Sequence, residues 1–390
     1  MKTDITEILT RGVNEIIDPV SLKKRLSGKK KLRVKLGIDP TAKSIHIGRA
    51  VVLWKLRALQ NAGHKIVLII GDFTGLIGDT SDKDSERPML SAKEVKANMK
   101  SYISQFGKII DLKKAEIHYN SKWLKKLGYL EIAEQADQFS LHEFEARENI
   151  SRRMKDQKRV SLRELLYPLM QGYDSVAIKS DLEVGGTDQR FNLLAGRVLQ
   201  RFYKQRPQEI MTFDLLEGTD GRKMSSSWGN VINITDSPTQ MFGKTMSILD
   251  RLIVPYFVMC TPHIALVEIE EMEKELKSGK LNPRDAKAHL ATELVRLYHG
   301  TKAAEHAREE FDKVHKDKEI PANLKGFKLA ERSIVEVLIG TGLAQSNSVA
   351  RRLIDQGGVK INGKTCESYI SIVPKDSIVS VGKRNFVKII

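Results

Sequence analysis

The segment KIVLIIGD (65–72) restricts the possible folds more than any other stretch of the chain. Its uninterrupted apolar run leaves neither face for water, so it reads as a strand buried on both sides. The preceding segment HIGRAVVLWKLRALQNAG (46–63) reads as a long helix closed by glycine, and LRVKLGI (32–38) before it as a further strand. Strand, helix and buried strand in this order predict a parallel sheet covered by helices, a Rossmann-like α/β fold.

The alternation extends to about residue 222. It is interrupted over about 111–161 by short charged helices, as an insertion would be. It then resumes with the helix LRELLYPLMQGYDSVAIKS (162–180), the segment DLEVGG, and another helix from Asp188. Residues 1–235 are therefore expected to form one α/β domain. Residues 236–316 show only helical patterns, with charges on one face of IALVEIEEMEKELKSG. The polar stretch 317–332, with Pro321 and Gly326, reads as a linker, and 333–390 as a small separate unit.

Lys and Arg number 65 against 49 Asp and Glu, a net charge of +16, and such an excess suits a polyanionic partner. No apolar run approaches the roughly 20 residues of a membrane span, and no membrane role is expected. The start, MKTDITEILTRG, lacks the layout of a secretory signal, so the cytoplasm is the expected compartment. Cys260 and Cys366 are the only cysteines. They cannot form a four-cysteine zinc site, and buried free thiols are expected.

Two segments carry chemistry. DPTAKSIHIGRA (39–50) joins the first strand to the first long helix, where ligands of open parallel sheets bind. A helix N-terminus there offers unpaired N–H groups to phosphate, with His46 in the first turn and Gly48 allowing close backbone approach. GRKMSSSWGN (221–230) sets one lysine before three hydroxyls, as a mobile phosphate clamp requires. Tyr167, Gln171 and Asp174 stand at i, i+4 and i+7, so one helix face presents all three. Gln and Asp are poor core residues unless paired, and a polar pocket is expected there.

HIGR and KMSSS, in this order, resemble the HIGH and KMSKS signatures of class I aminoacyl-tRNA synthetases. The segments LGIDPTAKSIHIG, GDFTGLIGDTSDKDSERP, YPLMQGYDS, GGTDQRFNLLAGR and KMSSSWGN extend the resemblance to the tyrosyl branch of that class. It implies activation of tyrosine with ATP, Mg²⁺ accompanying the triphosphate, no protein-bound zinc, and transfer to tRNA(Tyr). Asp79, Tyr167 and Gln171 would surround the tyrosine ammonium, Asp174 would accept its phenol, Gln189 would lie on the carboxylate side, and Asp39 beside the substrates. Thr41 and His46 would face the ATP phosphates. Gly37, Gly48, Gly186 and Asp188 would belong to the nucleotide site. Lys83 and Arg87 would lie on the loop over pyrophosphate, and Lys223, Met224, Ser225, Ser226 and Ser227 would form the mobile clamp. A carboxylate attacking an α-phosphate is already a nucleophile, so positioning and cationic donors should carry the catalysis. The resemblance also implies a homodimer, with the insertion as its interface, and makes 236–316 the anticodon-side domain.

Three positions depart from that pattern. Arg49 replaces the second histidine of HIGH, and its fork could reach a phosphate instead. Ser226 replaces a lysine of KMSKS, so a bound cation, or Lys83 with Arg87, would have to compensate. Lys35 and Leu36 stand where many tyrosyl enzymes have a tyrosine against the phenol.

The tail from Ser333 to Cys366 resembles an S4-type RNA-binding domain. Arg351 and Arg352 lie on the helix before a Gly-Gly turn, and Lys360 lies in the strand after it. Residues 331–390 hold nine basic and five acidic side chains, which suits contact with RNA phosphates and ribose. In the insertion, SRRMKDQKR offers Arg152 and Arg153 to the acceptor arm. Three other readings compete: a tryptophanyl-type synthetase, a non-catalytic RNA-binding protein of synthetase shape, and a small-molecule nucleotidyltransferase. Asp174 and GGTDQ speak against the first. The intact pocket speaks against the second, and KMSSS with the S4-like tail against the third.

Overall fold

The computed structural model describes residues 4–41, 43–80, 91–225, 228–316, 324, 326–327, 333–382 and 385–390. The chain divides into two compact units, Met1–Ala307 and Arg308–Ile390.

The first unit is built on six strands: β1 (Val13–Ile16), β2 (Arg33–Ile38), β3 (Lys65–Ile70), β4 (Glu116–Tyr119), β5 (Leu182–Gly186) and β6 (Glu209–Phe213). Their order is β1-β6-β5-β2-β3-β4. Five of them are parallel, and β1 closes one edge antiparallel to β6. Ile66 to Ile70 of β3 are all buried, as an apolar run under helices on both faces must be. Each such side chain stabilises the fold by about 1.5–3 kcal/mol. From the central β2 the chain proceeds to β3 and β4 on one side, then returns to β5 and β6 on the other. The carboxyl ends of β2 and β5 thus flank the topological switch point, where open α/β sheets bind ligands.

Three elements depart from the expectation. β1 precedes the strand read as the first. β4 lies inside the stretch read as a helical insertion, so the helical excursion starts only at Ser121. β6 had no expected counterpart. β1 and β4 are four residues each, too short for a period-2 signal, and neither contains a buried residue. Beyond Ser237 the expected helices are present, from Pro238–Met246 to Thr301–Lys316.

The second unit carries a five-stranded sheet: β7 (Gly326–Phe327), β8 (Val359–Ile361), β9 (Lys364–Thr365), β10 (Ile378–Val381) and β11 (Asn385–Ile389), in the order β7-β11-β10-β8-β9. Helices Ile334–Gly340 and Asn347–Asp355 supply Ile334, Val337, Leu338, Ala350 and Ile354 to its core, against Val359, Val379 and Ile389. β7 lies within the stretch read as a linker and pairs parallel to β11. Two residues leave no periodicity to read. Cys260 and Cys366 are both free and buried.

Candidate active site

The pocket helix Leu162–Ile178 begins with a capping box between Ser161 and Glu164, which satisfies N–H groups that a helix start leaves unpaired. One of its faces delivers the three expected side chains. Asp174 is 3% exposed. Its Oδ1 accepts from Trp123 Nε1 at 2.7 Å, and its Oδ2 accepts from Asn120 Nδ2 at 3.2 Å. Burial pushes its carboxyl up to about 7, opposed by the Lys35 charge and these two donors. Tyr167 donates its hydroxyl to Asp39 Oδ2 at 2.9 Å. Burial and the facing carboxylate of Asp39 raise the Tyr167 phenol well above its ordinary value, so it stays a donor. The other Asp39 oxygen accepts from Thr74 Oγ1 at 2.7 Å, which in turn accepts from Asn120 Nδ2 at 2.9 Å. A continuous hydrogen-bonded chain therefore runs Tyr167–Asp39–Thr74–Asn120–Asp174.

Thr74, Asn120 and Trp123 were not foreseen. The available signal was their place: each follows the carboxyl end of a parallel strand, Thr74 after β3 and the other two after β4. Gly71 was also missed. A Cβ there would stand 2.0 Å from Asp39 Oδ1 and 2.3 Å from Thr74 Oγ1, so only glycine lets Asp39 approach.

At the end of β5, Gln189 Nε2 donates to Asp79 Oδ2 at 2.8 Å, and Gln189 Oε1 accepts from Asn192 at 3.1 Å. Asp79 and Gln189, expected at the ammonium and carboxylate ends of one ligand, are thus direct partners. Asp188 stands two residues after Gly186, and its Oδ1 would meet a Cβ on Gly186 at 2.5 Å. Gly37, at the end of β2, is exposed with nothing within 4 Å of a Cβ position.

His46 is the N-cap of helix Ile47–Asn61, one residue earlier than its expected place in the first turn, and makes no side-chain capping bond. Its Nδ1 is buried without a hydrogen-bond partner. Burial, with the Arg49 charge, lowers the imidazole to about 3, so at neutral pH the ring is uncharged. A Cβ on Gly48 would lie 3.2 Å from Met224 Sδ and 3.2 Å from His46 Nδ1, so the HIGR and KMSSS segments meet at this glycine. The chain just beyond the second segment is also tied to the first: Ile47 N–H donates to Ile232 O at 2.8 Å and Ile234 N–H to Ile45 O at 3.0 Å. Asn230 ties the second segment to itself, donating to Asp220 Oδ1 at 2.8 Å and Lys223 O at 3.1 Å while accepting from Ser225 N–H at 2.9 Å. Lys223 is exposed and Met224 is buried. Thr41 follows Asp39 in a tight turn, with its N–H on Asp39 O at 2.8 Å. Arg49 Nη1 donates to the hydroxyl of the fully buried Tyr102 at 2.8 Å. That bond orients the guanidinium. Lys83, Arg87, Ser226 and Ser227 lie outside the described residues.

One expected RNA contact is corrected. Arg153 is 1% exposed and forms a buried pair with Glu164, at 2.5 Å and 3.0 Å. Arg152, its neighbour on helix Glu148–Lys155, is exposed. Successive helical residues point about 100° apart, and on this helix that turn carries Arg153 to the buried side while Arg152 stays at the surface. In the second unit Arg351, Arg352 and Lys360 are all exposed, and the Arg351 guanidinium lies 5.7 Å from the Tyr369 ring centroid. Among the described residues no group of three His, Cys, Asp or Glu could hold a metal ion, and no helix is long and apolar enough to cross a membrane.

A cluster of hydrogen-bonded polar side chains beside a helix N-terminus and a lysine-bearing loop, at the switch point of a parallel sheet, fits the site of a class I aminoacyl-tRNA synthetase. Residues 27–316 match the family model of tRNA synthetases class I (W and Y), and the chain belongs to that family. Residues 336–378 match the S4 domain. The chain is 45% identical over 387 residues to a tyrosine–tRNA ligase of Thermotoga maritima, covering 98% of this chain and 96% of that protein. It is also 45% identical over 392 residues to tyrosine–tRNA ligase 2 of Clostridium acetobutylicum, covering 98% of each. Among solved structures, the tyrosyl-tRNA synthetase of Archaeoglobus fulgidus complexed with L-tyrosine shares the fold. Its TM-score is 0.63 at 24% identity, covering 78% of this chain and all of that one.

Proposed function

We propose that this chain is a tyrosine–tRNA ligase that activates L-tyrosine with ATP, releases pyrophosphate and transfers the tyrosyl group to the 3′ end of tRNA(Tyr). The observation that carries this reading is the buried carboxylate of Asp174, held by Trp123 and Asn120 and linked through Thr74 to Asp39 and Tyr167. A phenol entering the pocket gives that carboxylate a third donor. A phenylalanine ring would bury it without one, an asymmetry for which tyrosyl-tRNA synthetases are themselves the standard illustration.

In this reading Asp79, Gln171 and Tyr167 line the amino end of tyrosine, with Gln189 at its carboxylate. The tyrosine carboxylate attacks the α-phosphate, and no general base is needed. Uncharged His46, the N-terminus of its helix, Thr41 and Lys223 set donors around the phosphates, where charge grows as pyrophosphate leaves. Gly37, Gly48, Gly186 and Asp188 shape the nucleotide side, with Met224 and Ser225 in the closing loop. Arg49 reaches the nucleotide from its anchor on Tyr102. Magnesium arrives on the triphosphate, and the chemistry calls for no protein-bound zinc.

Arg351, Arg352 and Lys360 contact tRNA from the S4 unit, and Arg152 from the excursion. The α/β core, the helical block that follows it and the S4 unit then divide the work between adenylate chemistry and tRNA binding. Tyr129, Leu130, Leu141 and Leu162 are 62–95% exposed within one segment. Large apolar side chains so exposed support a homodimer through this region. Free buried thiols suit the cytoplasm.

ATP–pyrophosphate exchange with each of the twenty amino acids tests the reading. Exchange with tyrosine alone is expected. Exchange with tryptophan would move the chain to the other branch of its family, and none with any amino acid would refute the enzyme.

A further inference from the structure

Beside the site lies a charge pair of which only the Lys35 charge, at Asp174, enters the roles above. Lys35 and Glu183 are register partners on β2 and β5, with side chains 0% and 1% exposed and Nζ 2.8 Å from Oε1. The ammonium has three protons and three acceptors: Glu183 Oε1, the carbonyl of Gln171 at 2.8 Å and Ser175 Oγ at 2.7 Å. Glu183 Oε1 also accepts from Gln171 Nε2 at 3.2 Å. Its Oε2 accepts from Ser175 Oγ at 2.9 Å and Gln208 Nε2 at 2.5 Å.

We infer that the Lys35–Glu183 pair is a positioning device for amino-acid binding, which turns the carboxamide oxygen of Gln171 towards the ammonium of the substrate. The inference rests on the tyrosine-activating reading of this site. Glu183, as a carboxylate, can only accept, so the nitrogen end of the Gln171 amide must face it. The oxygen end then faces away from Glu183, and Gln171 is the partly exposed member of the cluster. Lys35 holds the same residue by its backbone carbonyl, so both ends of Gln171 are tied to one pair. Without Glu183 the amide could rotate and present N–H groups to an ammonium, which repels them. Stability alone gives no reason for this arrangement, since a buried pair is often no better than apolar side chains of the same volume. Lys35 thus acts on the amino end of the substrate through Gln171, besides the effect of its charge on Asp174.

The test uses Glu183→Gln and the double variant Lys35→Met/Glu183→Leu, read by ATP–pyrophosphate exchange and thermal melting. For each, the KM for tyrosine is compared with the KM for ATP and with the inhibition constant of 3-(4-hydroxyphenyl)propionate, which has the phenol and carboxylate but no ammonium. The expected result is a tyrosine KM raised at least tenfold in both variants with the KM for ATP within twofold of wild type, and in Glu183→Gln, which keeps the Lys35 charge on Asp174, the ammonium-free inhibitor also within twofold. A tyrosine KM within twofold in either folded variant, or all three constants rising together in Glu183→Gln, would overturn the inference. If the double variant does not fold, the near-isosteric Glu183→Gln decides the matter alone. Wild-type protein that activates a different amino acid overturns the tyrosine reading, and the same ratios taken with that amino acid and its deamino analogue then decide the role of the pair.

Discussion

Trp123 donates its indole N–H to Asp174 across 2.7 Å, although the two residues lie 51 positions apart and on different elements. The bond stabilises the charged form of a carboxylate that burial otherwise drives towards neutrality. Trp123→Phe keeps the ring and removes the donor. Bonds to charged groups contribute about 1.5–3 kcal/mol, so kcat/KM for tyrosine should fall about tenfold or more. The KM for ATP should stay unchanged. Steady-state exchange kinetics measure both.

The charge of Asp174 also sets a pH dependence. In the wild type the acid limb of kcat/KM for tyrosine should lie near pH 7, where the carboxyl titrates, and should move upward in Trp123→Phe. The stability effect has the opposite sense. The folded value is raised above the unfolded one, so the folded state binds more protons between about pH 4 and pH 7. The contribution of Asp174 to stability is thus greatest in acid and is lost as the pH rises to 7. Relative to Asp174→Ala, the wild type should gain about 1–2 kcal/mol between pH 8 and pH 5, discounted from the full linkage of about 1.4 kcal/mol per pKa unit. Denaturant melts at the two pH values check this.

Much of this site can be read from the chain. The buried strand KIVLIIGD, the helix after HIGR and the triplet Tyr167, Gln171 and Asp174 are local patterns, and local patterns survive folding. The partners of these residues are not local. Asn120 and Trp123 reach Asp174 only because β4 joins the sheet, and β4 is too short to announce itself. Lys35 was legible as a departure from a tyrosine, but its purpose depends on Glu183, three strands later in the chain and adjacent in the sheet. Arg153 was misplaced for the converse reason: composition counts a charge without saying which face of the helix carries it.

Arg153 and Arg152 should separate cleanly by mutation. Arg153→Ala strands Glu164 as a buried unpaired carboxylate and should cost about 3–5 kcal/mol. Arg152→Ala removes an exposed side chain, and its melting curve should shift by no more than about 0.5 kcal/mol. Thermal or denaturant unfolding of the two variants side by side makes the comparison.

The exposed basic residues of the S4 unit predict a salt effect. Each of Arg351→Ala, Arg352→Ala and Lys360→Ala should weaken tRNA binding and reduce the slope of log K against log salt by about 1. ATP–pyrophosphate exchange, which needs no tRNA, should be unaffected. Filter binding over a salt series gives the slopes.

The apolar surface of the helical excursion predicts a dimer. The wild type should sediment at twice the 44.0 kDa chain mass. Tyr129→Glu with Leu162→Asp should shift it towards the monomer, since a charge buried in an apolar interface is costly. Sedimentation equilibrium distinguishes the two.

The most direct test of the central claim is the ratio of kcat/KM for tyrosine to that for phenylalanine in ATP–pyrophosphate exchange, measured for wild type and Asp174→Ala. A wild-type preference for tyrosine on the order of 10⁴ or more, the size already familiar from tyrosyl-tRNA synthetases, is expected. It should fall by at least two orders of magnitude in the variant. A folded Asp174→Ala protein that keeps the wild-type ratio would contradict the reading of Asp174 as the group that recognises the phenol.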